Sequence, residues 1–183
     1  MKTIRVWDPL VRVLHWTLVI CVLANLLNES GEAIHRWLGY TASAVVVVRV
    51  FWGFVGPHYA RFADWFPTRS RLAPYVKALL HNRAPRHVGH NPAGAVMMLA
   101  LMALVLLLGV TGYMMGTDTF FGEDWVEGLH EALANILIGA VVLHVGAALF
   151  ESWKHQENLI ASMLHGRKAP LALAESHDET AAR

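Results

Sequence analysis

Residues 129–147, LHEALANILIGAVVLHVGA, form an apolar run that carries two histidines, His130 and His144. On an α-helix their fourteen-residue spacing puts both imidazoles within about 40° of one face and about 21 Å apart along the axis. That rise is most of the thickness of a hydrocarbon core. Two more histidines sit in oily surroundings: His15 within PLVRVLHWTLVICVL, and His35 just ahead of RWLGYTASAVVVV. Ionisable groups inside membrane spans are rare and usually functional, because lipid offers them no water. The chemistry that suits paired neutral imidazoles is axial ligation of haem iron, which takes one ligand on each face of a planar ring and then carries electrons.

The elements that must position these side chains follow from composition. Of 183 residues, 55% are hydrophobic and 16% charged, which is poor in charge for a soluble domain. Four apolar segments approach or reach bilayer length, at about residues 10–28, 34–56, 92–116 and 128–150. The expected fold is therefore all-α, an integral-membrane four-helix bundle. A basic start (Lys2, Arg5) resembles a secretory leader, but Arg12, His15 and Trp16 interrupt the first apolar stretch and no A-x-A pattern follows, so a mature helix is expected. Gly56-Pro57, Asn91-Pro92 and Gly116-Thr117-Asp118 punctuate the helices with residues suited to turns and first helical positions. One domain over 1–168 and a polar, disordered tail over 169–183 complete the organisation. Cys21 is the single cysteine, which excludes an intrachain disulfide, a CxxC redox pair and c-type haem attachment.

Charge assigns depth to each histidine. Lys2, Arg5 and Arg12 precede the first span; Arg61, Arg69, Arg71, Lys77, Arg83 and Arg86 lie between the second and third; Lys154, Arg167, Lys168 and Arg183 follow the fourth. The two opposite loops hold Glu29, Glu32, Asp118, Glu123, Asp124 and Glu127, with Arg36 as the basic residue at that end. The positive-inside rule places both termini and the 57–91 loop in the cytoplasm. His15 and His144 then share an inner depth, and His35 and His130 an outer one. Two b haems stacked across the bilayer account for all four. A haem-free Zn or Cu carrier is the alternative chemistry, but no span carries an acid at its middle to complete such a site.

Other residues have two readings each. Gly39 stands a turn after His35, Gly139 between the two fourth-span histidines and Gly146 just after His144, where a missing side chain lets a flat ring or a neighbouring backbone approach. Arg49, deep in VVVVRVFWGF, either meets a haem propionate or snorkels to the cytoplasmic interface; Arg12 and Arg61 are further inner propionate partners and Arg36 the outer one. His90, with Asn91, either hydrogen-bonds a quinone carbonyl or merely begins the third helix. His58, His81, His87, His155, His165 and His177 read as solvated loop and tail residues. Trp7, Trp16, Trp37, Trp52, Trp65, Trp125 and Trp153 mostly fall at span ends, as an aromatic belt does. RSRLAPYVKALLHNR, residues 69–83, reads as an amphipathic surface helix with Tyr75, Val76, Leu79 and Leu80 dipping into lipid.

Five features in order, RVWDPLVRVLHW (5–16), HRWLGY (35–40), RVFWGFVG with ARFADW (49–65), HNPAG (90–94) and the LH and LHVG pair of the last span, resemble the bacterial cytochrome b561 and nickel-iron hydrogenase b-type cytochrome family. The resemblance covers residues 3–166. It implies two haem b groups ligated by His15 with His144 and by His35 with His130. It also implies a multi-pass protein of the bacterial inner membrane that exchanges electrons between a quinone pool and a periplasmic-side partner: a c-type cytochrome, a dehydrogenase or a hydrogenase subunit. A branch of the family resembles superoxide oxidase, which passes electrons from superoxide to ubiquinone; here the acidic outer loops would repel that anion. No nucleic-acid partner is expected, and a homodimer is compatible with these features.

Overall fold

The computed structural model describes residues 3–28, 32–81 and 83–170; most of the expected disordered tail, 171–183, lies outside them. The chain is mostly helical, and four helices are long and apolar enough to cross a membrane: α1 (Pro9–Leu27), α2 (Ala33–Val55), α5 (Pro92–Met114) and α6 (Asp124–Lys154). Between them come α3 (Phe62–Trp65) and α4 (Arg69–Leu80), and α7 (Leu159–His165) follows α6. The first three spans begin and end within two residues of the expected bounds. The fourth is longer, starting at Asp124 because Asp124 and Glu127 place negative charge on its positive N-terminal end and Lys154 closes the other.

Local chemistry explains the helix starts. The Asp8 carboxylate accepts from the backbone N–H of Leu10 and Val11 at 3.0 and 3.1 Å ahead of Pro9, an N-cap followed by proline at the first helical position. Asn91 does the same for α5, its Oδ1 accepting from Gly94 N at 2.6 Å, and Asn158 caps α7 through Ala161 N at 2.8 Å. α7 ends at Gly166, whose φ of 80° is left-handed.

Packing divides the chain into two compact units, one of residues 1–12, 53–97 and 144–183 and one of residues 13–52 and 98–143. The second unit is made of helix segments packed through small residues and valine. Val46 and Val126 are fully buried, and a side chain at Gly109 would collide with Ser43, so α2 and α5 approach closely there. Large apolar side chains on the spans, among them Ile20, Phe51 and Val142, stay exposed, as lipid-facing positions must.

The first unit ties the two ends of the chain together. β1 (Ile4–Arg5) pairs antiparallel with β2 (Arg167–Lys168), Ile4 opposite Lys168. Trp7 Nε1 donates to Ser162 Oγ at 3.4 Å and Arg12 Nη1 to the Leu164 carbonyl at 2.7 Å. A Cβ at Gly166 would sit 2.5 Å from the Trp7 carbonyl oxygen, so glycine serves both the turn and the close approach. α4 forms as expected, but Tyr75 is buried against His87, ring centroids 5.4 Å apart, and does not dip into lipid; Val76, Leu79 and Leu80 keep the exposed side.

Candidate haem site

In the second unit His35 stands in the first turn of α2 and His130 in the second turn of α6, with ring centroids 6.2 Å apart and planes at 60°. Two imidazoles bound through nitrogen to opposite sides of one metal, with bonds of about 2.0–2.1 Å, have centroids about 6.2–6.4 Å apart. The separation fits a shared iron.

The hydrogen bonds fix which nitrogen is left to bind it. His35 Nδ1 lies 2.8 Å from the Asn28 carbonyl oxygen, which only accepts, so the proton is on Nδ1. His130 Nδ1 lies 2.7 Å from Thr111 Oγ1. The threonine hydroxyl gives its one proton to the Leu107 and Leu108 carbonyls, at 3.0 and 3.2 Å, so its oxygen accepts from Nδ1 of the histidine. Both imidazoles therefore carry Nδ1–H and keep a lone pair on Nε2, the arrangement by which an outer partner orients a metal-ligating histidine. A Cβ at Gly112 would stand 3.4 Å from His130 Cε1, so the ring rests against the bare backbone of α5. The donor set fits haem b. Thr111 escaped the sequence reading, although it is the one threonine in an otherwise oily third span that has no histidine of its own.

His15 packs edge-on to Trp16, centroids 5.3 Å apart at 89°, and His144 is half-buried on α6 in the other unit. A side chain at Gly139 or Gly146 would meet nothing within 4 Å, whereas Gly39 faces Asn25 at 3.7 Å. Arg49 is buried at 5% exposure. Arg61 pairs with Asp64 at 3.1 Å on the surface, and Arg36 is exposed. Two buried polar atoms of the second unit, Asn25 Oδ1 and Trp52 Nε1, have no hydrogen-bond partner among the described residues, a cost of about 1–3 kcal/mol each that a polar-edged ligand would relieve.

The region around His90 is built differently. Its ring lies between Trp7 and Trp65, with centroids at 4.9 and 5.3 Å, so these two buried indoles are core residues and not members of an aromatic belt. Trp37, Trp125 and Trp153 are exposed as a belt requires. Beside Asn91, a cleft of about 60 Å³ holds Arg86, Glu151, His155, Glu157 and Lys168. Arg86 Nη2 donates to Glu157 at 2.7 Å and to the Ala169 carbonyl at 2.9 Å, so the expected tail is anchored at its first residue. Lys168 is buried over the Trp7 ring at 5.3 Å, and burial pushes its ammonium below the usual lysine range. Burial, then the Glu151 charge, pushes the Tyr75 phenol up to about 12. His155 pairs with Glu151 at 3.3 Å and is not simply solvated. Among the described residues no group of three or more His, Cys, Asp or Glu is arranged to hold a metal ion, which leaves a Zn or Cu carrier without a site there.

Four membrane-length helices carrying imidazoles set to share an iron define a membrane electron-transfer cytochrome of the b type. The chain belongs to the prokaryotic cytochrome b561 family, whose model matches residues 6–166. It is 26% identical to a probable Ni/Fe-hydrogenase B-type cytochrome subunit of Bradyrhizobium diazoefficiens over 91% of this chain and 86% of that one. It is 23% identical to the protein of that description from Azotobacter vinelandii, covering 89% and 87%, and 24% identical to a probable Ni/Fe-hydrogenase 1 B-type cytochrome subunit of Escherichia coli K12, covering 90% of each. No solved structure matches.

Proposed function

We propose that the protein is a di-haem cytochrome b of the bacterial inner membrane that carries electrons across the bilayer between a quinone pool and a redox protein on the periplasmic side, with both termini in the cytoplasm. The observation that carries this reading is the His35–His130 pair, with its 6.2 Å separation and its matching tautomers. His15 and His144 form the second ligand pair at the other depth. Bound haem supplies one-electron redox chemistry; the chain supplies ligands, orientation and exclusion of water. Thr111 and the Asn28 carbonyl hold the imidazole rings and their protons. Gly139 and Gly146 leave open space beside α6, and Arg49 places a buried cation in the span for a propionate.

The partner reading rests on the hydrogenase subunits among the relatives and on the surface near the α6 start. Asp118, Glu123, Asp124 and Glu127 are exposed there with Phe121 and Trp125, a combination suited to a hydrogenase subunit or cytochrome with a basic docking face.

Vesicles test the transmembrane claim. With ferricyanide trapped inside and dithionite outside, wild-type protein should bleach the ferricyanide and His130→Ala should not; no bleaching by haem-loaded wild type would refute it.

A further inference from the structure

A cleft of about 240 Å³ in the second unit is lined by Arg36, Trp37 and Tyr40 of α2 and by Tyr113 and Gly116 at the end of α5. Its polar atoms are a guanidinium, an indole N–H and two phenols. None of the lining side chains is a carboxylate, so the walls chiefly donate hydrogen bonds. The rest of the surface is aromatic: Trp37 and Tyr40 meet edge to face at 6.3 Å, and Trp37 and Tyr113 are 70% and 63% exposed. A ligand that suits donors and ring faces together is flat, apolar and carries only acceptors.

Position narrows the class. On α2, Arg36, Tyr40 and Trp37 lie about 100°, 140° and 200° around the helix from His35. The cleft is therefore on the opposite side of that helix, about one helix width, 10–12 Å with side chains, from the imidazole. Tyr113 follows Gly112, on which the His130 ring rests. Both walls thus continue directly into the backbone that holds the two imidazoles, and the exposed side would meet lipid. The volume holds a single substituted ring and falls below the roughly 300 Å³ at which drug-sized pockets begin, so a lipid tail would stay in the bilayer. In the other unit Arg12, His90 and Asn91 already spend their contacts on Leu164, on two indoles and on capping α5.

We propose that the Arg36–Trp37–Tyr40–Tyr113–Gly116 cleft binds the headgroup of a membrane quinone. The ring would stack on the aromatic walls, and Arg36 and the phenols would donate to its carbonyls. This rests on the cytochrome reading above for its electron partner, but binding itself does not require turnover.

The experiment uses the full, haem-loaded chain in phosphatidylcholine nanodiscs with a photoreactive azido-ubiquinone, reading labelled peptides by mass spectrometry. Label is expected on peptides containing Trp37–Tyr40 or Tyr113–Gly116. Excess decyl-ubiquinone should displace it, and it should fall at least tenfold in Gly116→Leu, which fills the cleft, and in Tyr113→Ala, which removes a wall. Optical spectra verify that each variant keeps its haem; should one lose it, the other decides. Label confined to the His90–Asn91 peptide, unchanged labelling in the haem-loaded variants, or displacement by phosphatidylglycerol and not by decyl-ubiquinone would overturn the site. Ferricyanide bleaching without cleft label removes the site and leaves the cytochrome reading standing. Cleft label without bleaching retains the site and removes that reading.

Discussion

The two compact units solve opposite problems. The one built from residues 13–52 and 98–143 places its polar atoms on the orientation of imidazoles: Thr111 and the Asn28 carbonyl each hold one ring nitrogen. The other unit uses charge and indole to knit together distant stretches of chain, with Arg86 on Glu157, Lys168 over Trp7, and His90 between Trp7 and Trp65. Function therefore concentrates where polar groups are few and spaced, whereas the dense polar cluster serves architecture.

The comparison would break most visibly at the Arg86–Glu157 pair. Its side chains are 9% and 14% exposed, and removing one member of such a pair leaves an uncompensated charge. Arg86→Ala should cost about 3–5 kcal/mol in chemical denaturation, while haem absorbance of the folded fraction stays unchanged. Arg86→Met with Glu157→Leu should recover most of that loss. A lasting change in haem ligation from either would show that the units do not divide the work in this way.

Tyr75 gives a smaller and pH-dependent effect. Its phenol is held protonated up to about 12 in the folded protein, against 10.0 for a free phenol. Above pH 10 the unfolded chain therefore gives up a proton that the folded chain keeps, and stability falls as pH rises through the interval between these values. The two-unit shift corresponds to about 2–3 kcal/mol. Denaturation midpoints of wild type should fall more steeply than those of Tyr75→Phe between pH 10 and 12; parallel curves would contradict the assignment.

Thr111→Val sharpens the other side. It removes the acceptor for His130 Nδ1 while keeping shape, and loss of such an outer partner typically weakens metal affinity about 10–100-fold. Competition with apomyoglobin should extract one haem faster from this variant than from wild type, at unchanged folding stability to within about 1 kcal/mol.

These differences also explain what could be read from the residues alone. The spans, the prolines at their starts and the depth of each histidine follow from apolar length, helix-start chemistry and the asymmetry of Lys and Arg, all of them local or additive signals. The ladder of Ile4–Arg5 with Arg167–Lys168 was not legible, since two-residue strands have no alternation and their pairing joins opposite ends of the chain. Trp7 and Trp65 looked like belt residues because their enclosure depends on His90, which is remote in sequence from Trp7. Tyr75 was assigned to lipid from a helical period that gives a face but not the neighbour it meets. Thr111 was the opposite case: a lone hydroxyl in an apolar span was there to be noticed, and only its histidine partner was missing.

The most direct test is the amount of haem b per polypeptide, measured as the pyridine haemochrome in purified, folded protein. Two equivalents are predicted for wild type, and one for His35→Ala, for His130→Ala and for the two combined. A wild-type content of zero, or a His35→Ala/His130→Ala double variant that keeps both haems, would contradict the assignment of these imidazoles to a shared iron.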